Sequence, residues 1–296
     1  MAADIRVAET EDRLSIGEWL QTAIRLMRMA AHMDLMWLLR DTRTCLLVLT
    51  TDLVTTLAGL AGILLLSVRF DGIGGMSGDQ VLFMLGYATC VDGLFMMFFA
   101  MNNTGHISRV IGRGQFDHML VQPVPLPLQL FTSGFIPFTG STPMLCGLGL
   151  TGYAAAKLGL WANPSWIPGF LLALPVSLAI ILACSFLIGS SAFYAPKAAE
   201  EVCSSVNEFF QSTKQFPLGG LPQVMQIVFC TVLPAGLAAW LPASRILGLP
   251  TSGFPIWFLL IAATTLGTAA TLVFRKGLRH YAKFGSQRYS DHGHRR

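Results

Sequence analysis

Charge is what this sequence has least of. Lys, Arg, Asp and Glu together make up 12% of its 296 residues, about half the share of roughly 25% usual in soluble domains. A soluble helical core of this size would need a polar face on every helix, and there are too few charges to build them. Several chemistries are missing as well. No Gly-x-x-x-x-Gly-Lys-Ser/Thr loop occurs, which excludes ATP hydrolysis by that route. There is no His-Glu-x-x-His and no Gly-x-Ser-x-Gly nucleophile elbow. The six cysteines (Cys45, Cys90, Cys146, Cys184, Cys203 and Cys230) lie in or beside apolar runs and form no Cys-x-x-Cys pair. Free cysteine packs as a small hydrophobe, so no metal or redox centre is expected. His292 and His294 stand in a polar tail beside Arg295 and Arg296, which reads as a disordered end rather than a metal site. The first 19 residues hold acids and no apolar core, so they do not read as a signal peptide.

What is present is hydrocarbon. Six long apolar runs occupy residues 45–68, 81–101, 126–154, 167–191, 224–241 and 255–274, apolar on all sides. Crossing a bilayer takes roughly 20 helical residues, so the expected fold is an all-α integral membrane protein with six transmembrane helices. Residues 1–43 form an N-terminal segment, 44–275 the membrane domain and 276–296 a basic tail, with no room for a separate soluble catalytic domain. Of the 20 Lys and Arg, 17 fall in alternate segments starting with the N-terminus, and only Arg69, Lys157 and Arg245 fall in the others. Cytoplasmic loops retain such residues, so both termini are expected in the cytoplasm. The net charge of +4 is accounted for by this bias and does not point to nucleic acid.

Two polar segments are patterned. Ser15 and Glu18 fit a capping box. Glu18, Gln21, Arg25, Arg28 and His32 then follow at helical spacing beside a Leu20, Ile24, Met27 and Ala31 stripe. That is an amphipathic helix suited to the headgroup plane or to the protein's own bundle. The second segment, 105–123, places Arg109, Arg113 and Asp117 at i, i+4 and i+8, with Ile107, Val110 and Ile111 turned toward the membrane. It reads either as a solvated loop or as a docking element for another protein.

Pro137, Pro143, Pro175 and Pro234 fall inside apolar runs, where proline kinks a helix. The stretch 240–250 is apolar but broken by prolines, so short, partly inserted helices are expected there. Asp52 and Asp92 lie inside the first two runs. A carboxylate at that depth costs on the order of 3 kcal/mol, so each either lines a polar path, carries protons or serves as interhelical glue. No Lys or Arg lies at comparable depth by count, so no intramembrane ion pair is expected.

Three stretches carry a family resemblance. Gly114, Asp117, Leu120 and Pro123 match a cytoplasmic Ile-x-x-Gly-Glu-Leu-Asp-x-x-Leu-(Leu/Val)-x-Pro pattern, with Gln115 and Phe116 in place of Glu and Leu. The run from Gln215 to Pro222, continuing through Leu233-Pro234 and Leu241-Pro242-Ala243, is similar to a fifth-span signature. Gly277-Leu278-Arg279 with Tyr281 and Gly285 looks like a closing Gly-Leu-Arg-x-Tyr-x-Ser-x-Gly, with Lys283 near the expected Ser. Together they resemble the permease subunits of ABC-type exporters of the type-2 superfamily, in a six-span bacterial branch.

The resemblance implies a transport subunit of the bacterial inner membrane that is not itself an enzyme. Residues 105–120 would couple to a separate ATPase through Arg109, Arg113, Gly114, Asp117, Leu120 and Pro123, and that partner would bind ATP and Mg. Residues 15–40, with Glu18, Arg25 and Arg28, would be the interfacial helix among membrane lipids. A second permease chain, a different one or a second copy, would complete the path. The alternative is a secondary transporter or channel that uses Asp52 and Asp92 for proton or cation coupling. The chain lacks the internal repeat expected of many such proteins. A membrane-embedded lipid enzyme would need clustered His, Asp or Ser near one face, and the sequence has none.

Overall fold

The first long helices begin where the sequence supplies a cap. Ser15 accepts from the Glu18 amide at 3.3 Å while its own amide donates to Glu18 Oε2 at 2.8 Å. This is the expected capping box, and it opens α1 (Ile16–Arg40). Asp41 accepts from the Thr44 amide at 3.3 Å and starts α2 (Thr42–Arg69). Ser77 and Gln80 form a second box at the head of α3 (Gly78–Phe99). The computed structural model describes residues 15–70, 72–250, 255 and 257–285. The acidic start and the tail with His292 and His294 lie outside the described residues.

The chain continues through α4 (Ile107–Gly112), α5 (Gln115–Val121), α6 (Leu126–Thr132), α7 (Thr142–Lys157) and α8 (Trp166–Gly189). It ends with α9 (Pro196–Lys214), α10 (Gln223–Thr231), α11 (Ala235–Ala238), α12 (Trp240–Ile246) and α13 (Trp257–Phe284). Among the described residues there is no strand beyond an isolated bridge. Among the described residues, four helices are long and apolar enough to cross a membrane: α2, α3, α8 with its 3-10 extension to Phe193, and α13.

Two of the six expected spans are not single helices. The run 126–154 breaks between α6 and α7, because Gly134, Pro137 and Gly140 interrupt it and Pro143 starts a new helix. The run 224–241 is cut before Pro234 and again at Ala239 into pieces of nine residues or fewer, the last continuing past Pro242 to Ile246. Proline removes a ladder donor and clashes with the preceding turn, so neither run stays continuous.

In place of 224–241, the bundle is traversed by α9, from a segment read as cytoplasmic. Its first turn lies beside Gly112 at the end of α4. Midway, Cys203 Sγ donates to the Ile188 carbonyl of α8 at 3.5 Å. Just past its end, Pro217 rests on Gly74, in the turn joining α2 to α3. α4 and that turn lie at opposite ends of α3, so α9 runs the length of the bundle. α10 to α12 then fold back, and Leu237, Trp240 and Leu241 bury themselves in the core around α3 and α8.

α3 is the hub. A Cβ on Gly86 or Gly93 would strike α7, and one on Gly147 would strike Cys90. These small residues let the two helices approach as closely as backbone allows. α1 sits at the edge, with Ile16, Leu20, Ile24 and Met33 exposed. Glu18, Arg25 and Arg28 are also exposed. Its attachment is Asp34, 5% exposed, whose carboxylate accepts from the Phe138 amide (2.8 Å), the Thr139 amide (3.2 Å) and the Thr139 hydroxyl (2.6 Å). One buried acid therefore satisfies the donors freed by the break between α6 and α7.

Candidate functional site

The segment 105–123 is a two-helix elbow rather than one amphipathic helix. Gly114, at φ +73°, lies in the left-handed region between α4 and α5, where a Cβ costs on the order of 1 kcal/mol or more. The turn rotates α5 away from the i, i+4, i+8 register read from the sequence. Ile107, Val110, Ile111 and Phe116 are all buried in a second apolar cluster, against Phe193, Ala199 and Tyr281 of the chain itself. Phe116 meets the rings of Phe193, Phe274 and Tyr281 edge-on at 5.4, 6.3 and 5.5 Å.

The charged groups of the elbow are largely used inside the chain. Asp117 Oδ1 accepts from the Tyr281 hydroxyl at 2.5 Å. Arg113 pairs with Glu200 of α9 at 3.4 Å, and Arg109 reaches Ser204 at 3.5 Å. The surface of the elbow holds the outer part of Arg113 together with Gln115, His118, Val121, Gln122 and Pro123, with Val121 81% exposed. Leu120 is partly buried against the cluster. The elbow is thus fastened to α8, α9 and α13 at once and presents a small tip.

His106 opens the elbow. Its ring lies 5.2 Å from that of Phe95, and it borders a small cavity with Arg109, Ser204 and Asn207. Burial, with Arg109 adding to it, pushes the imidazole down to about 4, so it is neutral at physiological pH.

A second polar constellation lies deeper. Asp52, Thr55 and Thr56 of α2, Thr89 and Asp92 of α3 and Gln215 after α9 line one cavity of about 260 Å³. Asp92 is ion-paired to Lys214, whose side chain is only 1% exposed. This corrects the expectation that no cation reaches that depth. Lys214 sits at the far end of a helix too polar to register as a span, and the fold carries it to α3. The Asp52 carboxylate has no ion pair among the described residues.

The pattern of the ABC-2 family transporter proteins matches residues 53–285. The chain belongs to the ABC-2 transporter family. No curated protein and no solved structure matches the chain. This ABC-2 permease is therefore a multi-pass membrane transport component. The match runs from about three turns into α2 to the end of α13 and leaves α1, Asp34 and Asp52 outside it.

Within the permease, two stretches that carry the resemblance meet. Asp117 of the elbow bonds Tyr281 of the closing stretch, and Gly277 lies so close to Phe193 that a Cβ would enter the ring. The third closes the other end, where Pro217, Gly219 and Gly220 pack on the backbone of Gly74. The residues that sequence reasoning passed over are Asp34, Lys214 and Glu200. An acid or lysine in a segment polar by composition gives no signal of burial, so Lys214 and Glu200 were not legible. Asp34 was, in principle, because it falls outside the polar face formed by Glu18, Arg25 and Arg28.

Proposed function

We propose that this permease is the transmembrane subunit of an ATP-driven exporter in a bacterial inner membrane. It works with a separate ATPase chain, which binds ATP and Mg, and with a second permease chain. Both termini and the elbow lie on the cytoplasmic side. The observation that carries the reading is the elbow. An exposed tip with Val121 and Pro123 is fastened by Phe116, Asp117 and Arg113 to three helices of the bundle, so a push on the tip is delivered to α8, α9 and α13 together. The chain carries no phosphate loop, so the push comes from a partner.

On this reading, α9 is the fifth crossing and α6 with α7 the third. Glu201, Ser205, Glu208 and Ser212 form an exposed stripe along α9. Carboxylates facing lipid are costly, so this face lines the path shared with the second permease. A second reading, proton or cation coupling through Asp52 and Asp92, is favoured by their shared cavity and weakened by Lys214, which already neutralises Asp92.

The test is purification in mild detergent from the native membrane, with mass spectrometry of what accompanies the chain. Stoichiometric recovery of an ATPase and a second permease is expected. The chain recovered alone, with proton-dependent flux after reconstitution, would overturn the exporter reading in favour of the second.

A further inference from the structure

On the flank formed by α6, α8 and α13, the permease carries a concave apolar groove of about 360 Å³. Its walls include Leu130 and Phe131 of α6, Leu182 and Phe186 of α8, and Ala270 and Phe274 of α13. The floor offers no polar group in need of a partner. Thr271, the one hydroxyl lining it, already donates to the Gly267 carbonyl at 2.8 Å. An occupant therefore makes no hydrogen bonds along the groove, which suits a hydrocarbon chain and not a peptide.

The two ends of the groove differ. At one end stands Gly267, beside which an added Cβ would meet nothing. Toward the other, with only Leu278 of the same helix beyond it, stands Arg275, exposed and paired with no carboxylate among the described residues. The step of eight residues from Gly267 to Arg275 spans roughly 12 Å of helix, close to the half-thickness of about 15 Å of a bilayer's hydrocarbon core. Arg275 directly follows the last apolar run and lies one and a half turns before Tyr281, which touches the elbow. It therefore sits at headgroup level in the leaflet on the elbow side. The groove shares only α3 with the polar cavity of Asp52 and Asp92, and it lies away from the acidic stripe of α9.

We infer that this groove is a binding site for an anionic phospholipid of the elbow-side leaflet, one acyl chain lying between Gly267 and Phe274 and the phosphate held by Arg275. Length, dryness and a cation lining the mouth all match that ligand, and basic pockets between membrane helices recognise anionic headgroups in this way. The acyl chain would also seal the flank where α6 is only seven residues long.

The experiment uses the full chain, delipidated in detergent and titrated with phosphatidylglycerol or phosphatidylcholine, with bound lipid counted by native mass spectrometry. One phosphatidylglycerol per chain is expected, held in preference to phosphatidylcholine. Arg275→Gln should weaken that preference about fivefold, the effect of one basic residue near an anionic surface. Arg279→Gln, one turn further and not lining the groove, should leave it unchanged. Gly267→Phe should fill the groove and abolish binding while helical content is kept. Equal retention of both lipids by the native chain, or an undiminished preference in Arg275→Gln, would overturn the site and leave only an unselective lipid shell. Should Gly267→Phe fail to fold, the Arg275→Gln comparison decides alone.

Discussion

Lys214 is the residue whose placement departs furthest from its chemistry. An ammonium taken out of water loses several kcal/mol of hydration, and only a close carboxylate offsets that loss. Asp92, 122 residues away in sequence, supplies it. Lys214→Met should therefore leave the Asp92 carboxylate without its counter-ion in the cavity and destabilise the permease by about 3 kcal/mol. Replacing both residues, Lys214→Met with Asp92→Leu, should recover most of that loss. Thermal unfolding of the three variants in one detergent measures it, and a double variant as unstable as the single would sink the ion-pair account. Asp34 follows the same logic without a cation, since three donors at a broken helix hold its carboxylate in place.

At the scale of elements, the elbow explains why its sequence pattern was half readable. Gly114, Asp117 and Pro123 all fall in this one short segment, but the helical spacing in the sequence does not carry across Gly114, where one residue at positive φ is enough to change which side chains face out. Asp117, read as facing a partner, is turned to Tyr281. His106 gives this element a pH response. Its folded value lies below the ordinary 6.5, at about 4. As pH falls through 6.5, the opened form gains a proton that the packed form refuses. Packing of α4 against α8 and α9 is therefore at full strength above 6.5 and is lost toward 4, by up to roughly 3 kcal/mol. Arg109 is the charged group at that cavity, with Cys184 and Cys203 the other titratable ones. Hydrogen exchange of the α4 amides should speed up between neutral pH and about pH 5, and His106→Leu should abolish the change. PH-independent exchange in the native chain would refute it.

For the whole molecule, the decisive feature is a helix that hydropathy does not report. α9 traverses the bundle with Glu201 and Glu208 exposed, which makes sense only if protein or water, not lipid, lies against it. Glu208→Arg should lower recovery of the second permease at least severalfold, a loss in line with reversing one charge in an interface. Helical content by circular dichroism should stay unchanged. Undiminished recovery would move the chain–chain contact elsewhere.

Composition and hydropathy alone determined that this is a helical membrane protein and where four of its long helices run, because twenty unbroken apolar residues have no other low-energy solution in a bilayer. Local motifs determined the caps of α1 and α3 and the elbow's outline, since those depend on neighbours within a few residues. Tertiary structure decided the rest: that two apolar runs break, that polar α9 takes the place of 224–241, and that Lys214 meets Asp92 and Asp117 meets Tyr281. Those outcomes turn on pairings between residues far apart in the chain. A charge satisfied by a distant partner leaves no trace in its own neighbourhood.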